Sequence, residues 1–257
     1  MTLDKVLEIQ TLNDFGDKEL RLIPNQRLEA FTGEDISQVQ NVAHIYHESN
    51  VPFQPEDDTA YFGTIKAPEI GGGHNVSIIS DGSTEAKYMG LHSTGYTLIS
   101  GVRAKDIGKG SKGVLVVKDA SQRMEDSSFP VGTNAETVEA ENIFGPKVHY
   151  SRGQMTIGWC ANKVAAKGVR AGALYIGSEA KSVDVQEVEA LIVADIGYRS
   201  DKVRARGIMA DLVRITPSTT DYEATAVVAR QFDLGSNRAN IGSENFISLD
   251  ISGQLYK

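Results

Sequence analysis

The chain has 257 residues, 40% of them apolar, which suffices for one large domain or two small ones and excludes a disordered polymer. Lysine and arginine number 26 against 34 acids, and the resulting net charge of −8 disfavours nucleic acid as a partner. A single cysteine, Cys160, excludes an internal disulfide and the usual zinc-finger ligand sets.

The start, MTLDKVLEIQTLNDFGDKEL, has acids inside its only apolar stretch and no basic region leading into a hydrophobic core. It therefore does not read as a signal peptide, and synthesis in a cytosol is expected. No apolar run approaches 18 residues, so membrane insertion is not expected. Residues 1–60 hold four basic residues against twelve acids and so account for the whole net charge; they read as an acidic attachment or cap segment. Within it, EDISQVQNVAHIYHE (34–48) places Ile36, Val39, Val42 or Ala43, and Tyr46 on one helical face. Thr32 or Asp35 serves as N-cap, with Asn50 and Pro52 as the stop. The expectation is a helix covering one end of the body. His44 and His47 would share a face of that helix, but no third ligand accompanies them; an ordinary polar face, with no metal, is expected.

Residues 61–156 carry an irregular β grammar. VSIIS at Val76, YTLIS at Tyr96 and VLVVK at Val114 are 20 and 18 residues apart, with glycine-rich turns between them. From Asp119 to Lys147 the pattern lapses, which reads as an excursion or an irregular coil.

Residues 157–257 repeat. Ile157, Ile176, Ile196, Ile215 and Leu234 are spaced by 19, 20, 19 and 19 residues, and glycine follows four of them. Seven residues into each unit stand Val164, Val183, Val203, Tyr222 and Ile241; twelve in, Val169, Val188, Ile208, Val227 and Phe246. Seventeen in, the series is Leu174, Val193, Val213, Phe232 and Ile251, while positions nine and fourteen hold mostly small residues. Each pair of inward positions is two apart, as on one face of a strand, and each new pair starts five residues after the last. Three short strands and three corners thus make one coil, and the expected fold is an all-β parallel β-solenoid of about 19-residue, three-faced coils, eight or nine in all. Asp195 reads as the inserted residue of the 20-residue coil.

Stacking predicts that outward columns avoid like charges. Adjacent coils pair Arg170 with Glu189, Glu179 with Arg199, Lys181 with Asp201, Asp184 with Arg204, Arg204 with Glu223, Lys202 with Asp221, Asp211 with Arg230, and Arg214 with Asp233. Catalytic chemistry is harder to find. Cys160 lacks the surroundings of a nucleophile, and GKGSKG lacks the ending of a phosphate loop. Glu125, Asp126, Glu136, Glu139 and Glu141 in the lapse are unassigned acids and read as a solvated loop. No catalytic residue and no cofactor is expected. Trp159 and Tyr198 share a loop-edge column two coils apart, a candidate surface for stacking on sugar rings.

With these coils, the chain resembles parallel β-helix proteins, above all the fibres and spikes of bacteriophage virions. The resemblance implies a virion location and a non-enzymatic structural role. It also implies self-association as a homotrimer, contact with other virion proteins through the N-terminal segment, and binding of host surface polysaccharide. The coils are also similar to those of bactofilins, which polymerise end to end as cytoplasmic scaffolds. A third alternative is a right-handed β-helix lyase or hydrolase acting on polysaccharide.

Overall fold

The computed structural model of the chain describes residues 41–55, 59–75, 77–122, 128–146, 153–218, 221–233 and 241–253. Their regular structure is β throughout and forms one parallel solenoid of about nine turns of about 19 residues. The upstream strands are β1 (Asn41–Glu48), β2 (Thr59–Ile70), β3 (Ser77–Met89) and β4 (Tyr96–Ile107). Five short ones follow: β5 (Val114–Lys118), β6 (Ser121–Gln122), β7 (Ser128–Val131), β8 (Thr137–Glu141) and β9 (Gln154–Ile157). The regular coils are β10 (Lys163–Ile176), β11 (Ser182–Ile196), β12 (Lys202–Ile215) and β13 (Asp221–Asp233), and β14 (Ile241–Gly253) comes last. The ladder runs without a break through residues 60/61 and 156/157, which fall inside β2 and β9.

Counting each coil from its glycine as position one, the predicted columns appear as backbone register. Val138, Val164, Val183, Val203 and Tyr222 are successive partners at position seven, and Val169, Val188, Ile208 and Val227 at position twelve. Val131, Ile157, Ile176, Ile196 and Ile215 close each turn. These side chains, Tyr222 apart, are at most 3% exposed and belong to one core that runs the length of the stack. Burying each sec-butyl or isopropyl group contributes about 1.5–3 kcal/mol, so the stack is held mainly by this interior.

The five-residue step has a backbone cause. At position eleven, Gly101, Asp119, Asn142, Gly168, Glu187, Gly207 and Ala226 all have φ between +51° and +66°. One left-handed residue between two strand pairs turns the chain by a corner, and the column contains four residue types besides glycine because the corner, and not the side chain, is repeated. Position one is stricter. Gly158, Gly177 and Gly197 have φ of +66° to +69°, and a Cβ on each would lie 2.3 Å from a methyl of Val164, Val183 and Val203 respectively. Glycine is demanded there twice, by φ and by space. Beneath it, the buried Ser200 hydroxyl donates to the carbonyl of Gly177 and accepts from the Ala180 amide at 3.1 Å, which ties one loop to the next.

Most of the charge ladder is present. Arg170 to Glu189 is 3.3 Å, Arg199 to Glu179 3.7 Å, Arg204 to Glu223 3.5 Å, Arg230 to Asp211 3.6 Å and Arg214 to Asp233 3.9 Å. Lys202 and Asp221 are register partners, and Asp221 accepts from the Arg204 guanidinium at 2.7 Å. A fork can serve Asp221 and Glu223 together, which a lysine ammonium cannot match in geometry.

Three expectations are corrected, and one left open is described. The described part of the predicted helix, residues 41–48, is strand β1, paired in parallel with β2; residues 34–40 lie outside the described residues. The valine and isoleucine there satisfy a strand as readily as a helix, and the open edge of β2 supplies backbone partners that outweigh local propensity. The stretch 119–147, open between an excursion and an irregular coil, carries β6, β7 and β8, and β8 pairs in register with both β5 and β10. The last unit is not a fifth parallel coil, because β14 runs antiparallel to β13 with Phe232 opposite Ile241. Alternation of side chains is the same in either direction, so the sequence could not reveal this. Phe246 lies on β14, but Ile247 and Leu249 stand opposite Ala229 and Val227. Leu234 falls outside the described residues.

Finally, the extra residue is not Asp195, which is in register with Tyr175 and Arg214. The ladder slips between Glu189 and Val193, so Ala194 occupies the position of Leu174 and Val213, and the nearly buried Val193 pairs with Ala173 and Leu212. The bulge leaves Leu191 and Ile192 outside at 57% and 46% exposed, a corner where an added residue disturbs no inward column.

Candidate functional site

The loop edge of the regular coils is built by positions one to four. Left-handed φ recurs at position three in Asn134, Cys160, Glu179 and Arg199, so the loops have one shape and stack. Their amides bond across coils: Asn134 donates to the Trp159 carbonyl at 2.8 Å, Cys160 to Ser178 at 2.9 Å, Glu179 to Tyr198 at 2.6 Å and Arg199 to Thr216 at 2.9 Å. Trp159, Ser178 and Tyr198 therefore share position two, and the aromatic residues stand two rungs apart, about 10 Å. Both are open to solvent, at 50% and 42%.

Polar groups lie between the rings. The Arg199 guanidinium sits 5.1 Å from the centroid of the Tyr198 ring and pairs with Glu179, whose carboxylate also accepts from the Cys160 thiol at 3.4 Å. Burial and then Glu179 push the Cys160 thiol above its ordinary value, so it is a protonated donor and a poor nucleophile. The edge offers two apolar ring faces, a carboxylate and a guanidinium. That set suits stacking and hydrogen bonding to a polyhydroxylated ligand.

Other predicted positions are dispersed. Glu139 and Glu141 are exposed on the outer face of β8, Glu136 is in the preceding loop, and Glu125 and Asp126 lie outside the described residues. Glu139 and Glu141 line a shallow open groove with Lys118, Lys167 and Asp184, where acids and bases alternate. Residues 44 and 47 lie on strand β1 and not on a helix, and the His47 ring packs 5.0 Å from Phe53. Among the described residues, no group of three His, Cys, Asp or Glu side chains is placed to hold a metal.

Sequence reasoning missed two buried carboxylates at position eighteen. Burial pushes the Asp106 carboxyl up to about 6 despite Lys109, Lys105 and His92 nearby. It also raises Asp195, countered by Arg214 and reinforced by Asp233. They are far apart in the ladder and act singly. The exposed Leu191 and Ile192 bulge, with Met209 on the same wall of the adjoining coil, was also missed; the bulge position could have been found only from register.

No protein-family model, no curated protein and no solved structure matches the chain.

Proposed function

We propose that the chain is a non-enzymatic structural shaft, a fibre or spike component of a phage virion. It works as a homotrimer and meets other virion proteins through its acidic N-terminal segment. The observation that carries the structural role is the ladder: charged side chains of the walls pair with the next coil, as in Arg204 with Asp221 and Glu223. The apolar bulge of Leu191 and Ile192 beside Met209 supports lateral packing of copies. The virion setting follows from the resemblance of the coils. The Trp159 and Tyr198 edge is the proposed contact with host polysaccharide.

A bactofilin-like filament is less favoured, because antiparallel β14 ends the parallel register that end-to-end stacking would continue. Light scattering and electron microscopy of the native full-length chain test the reading. A trimeric rod supports it, whereas an open filament, or a monomer that cleaves polysaccharide, overturns it. Loss of binding to a host capsular polysaccharide on Trp159→Ala supports the glycan contact, and unchanged binding overturns it.

A further inference from the structure

The loop edge has a spacing as well as a chemistry. Position two of successive coils reads Thr133, Trp159, Ser178 and Tyr198, since the amides of Gly110, Asn134, Cys160 and Glu179 each donate to the carbonyl of that position in the next coil. Aromatic rings therefore recur at every second rung, about 10 Å apart along the stack, with a small hydroxyl residue between them. The ladder and the left-handed φ of Cys160, Glu179 and Arg199 hold the loops in one shape, so the interval is set by backbone before any ligand arrives. The Arg199 guanidinium lies over one face of the Tyr198 ring, which directs a ligand to the opposite face.

A polymer that uses both rings must present equivalent ring faces at the same interval and in a straight line. In a fully extended β-1,4-linked pyranose chain, successive sugars are flipped over, and one disaccharide has the length of two rungs. An α-1,4-linked chain coils and a β-1,3-linked chain curves, so neither keeps alternate sugars in line over two flat platforms. We propose that this edge binds an extended, β-1,4-linked glycan lying along the solenoid axis, with alternate sugars stacked on Trp159 and Tyr198 and the sugar between them over Ser178.

The proposal rests on the polysaccharide contact put forward above and adds to it the linkage and the direction of the chain. Ser178 is half-buried and small, which leaves room for the flipped sugar and its hydroxymethyl group. Glu179 and Arg199 stand beside it at position three, paired at 3.7 Å and exposed. Each retains free acceptor or donor capacity for hydroxyls, and the pair as a whole is neutral, which suits an uncharged sugar.

Trp159 is the only tryptophan of the chain, so intrinsic fluorescence reads this edge directly. The full-length chain titrated with cellohexaose, maltohexaose and laminarihexaose should show a saturable change with cellohexaose alone. Tyr198→Ala should weaken that binding by about tenfold. Ser178→Tyr combined with Tyr198→Ser keeps two rings but sets them one rung apart, and should lose as much as Tyr198→Ala. Equal affinity for the three hexasaccharides, no response to cellohexaose, or full affinity in the rearranged variant would overturn the proposal. Trp159-dependent binding of a capsular polysaccharide of another linkage, with none of cellohexaose, would overturn this inference alone; absence of binding to either would overturn the contact itself as well.

Discussion

Gly177→Ala is the sharpest test of how the coil is closed. Gly177 has φ of +66°, where an L-residue with a Cβ costs about 1–2 kcal/mol. The new Cβ would lie 2.3 Å from Cγ2 and 2.9 Å from Cγ1 of Val183, which is 1% exposed and held between Val164 and Val203 in its column. Neither methyl can withdraw without displacing a neighbour, and such overpacking costs about 1–3 kcal/mol more. The total is about 2–5 kcal/mol, read as a lowered urea midpoint by circular dichroism. Val183→Ala alone should cost about 2 kcal/mol for the lost methyls. The double variant separates the causes: removing the methyls relieves the clash and leaves only the backbone strain, so it should be more stable than the sum of the single effects by about 1–3 kcal/mol. Additivity within about 0.5 kcal/mol would refute the clash, and a single-variant loss below that size would refute both.

Other positions give contrasting outcomes. Val188→Asp places an unpaired carboxylate in the 1%-exposed column twelve and should abolish folded protein in a solubility and melting assay; unchanged melting would mean that the column does not face inward. Arg204→Glu leaves acids at 184, 204 and 223 in consecutive register and removes two ion pairs, so it should cost about 1 kcal/mol at low salt and less in 1 M salt. A loss independent of salt would speak against the ladder. Asp106 is 4% exposed with its carboxyl raised from 3.8 to about 6, so the native state holds this proton more tightly than the unfolded chain does. Its contribution to stability therefore falls as pH rises from about 4 to about 6 and is level above that. Asp106→Asn should remove that slope and gain up to about 3 kcal/mol at pH 7, seen in denaturation midpoints across pH; an unaltered slope would reject the assignment. Glu187→Gly, between Gly168 and Gly207 in the corner column, should be neutral to about 1 kcal/mol stabilising, and a clear loss would show that Glu187 serves the corner through more than its φ.

The coil was legible because it imposes two strong demands on sequence, a buried branched residue at position seven and a glycine beside it. Val164 with Gly158 and Val183 with Gly177 state both at once. The corner at position eleven was not legible, since Glu187, Asn142 and Ala226 share one φ but no side-chain chemistry. A 19-residue period marks where a coil repeats and leaves open which of its three corners absorbs an added residue. Asp195 was therefore the natural guess, and the backbone chose Leu191 and Ile192.

The same limit governs the candidate sites. Trp159 and Tyr198 could be found because exposure of a large aromatic residue at a fixed loop position leaves a visible column. The buried outer face of Phe62, Ile79, Leu98 and Val116 could not, although its residues were in plain view. In a strand buried on both sides, apolar residues no longer alternate, and YTLIS or VLVVK then resembles an irregular coil. The irregularity upstream of residue 119 thus has a cause in the buried outer face: coils with two apolar faces lose the period that identifies coils with one. Substituting the outward residues alone separates these cases. Leu98→Thr should loosen the outward cluster of Phe62, Ile79 and Val116 while leaving the inward Ile99 column and its register with Val117 intact, and a collapse of the whole stack would show that the two faces of β4 do not act separately.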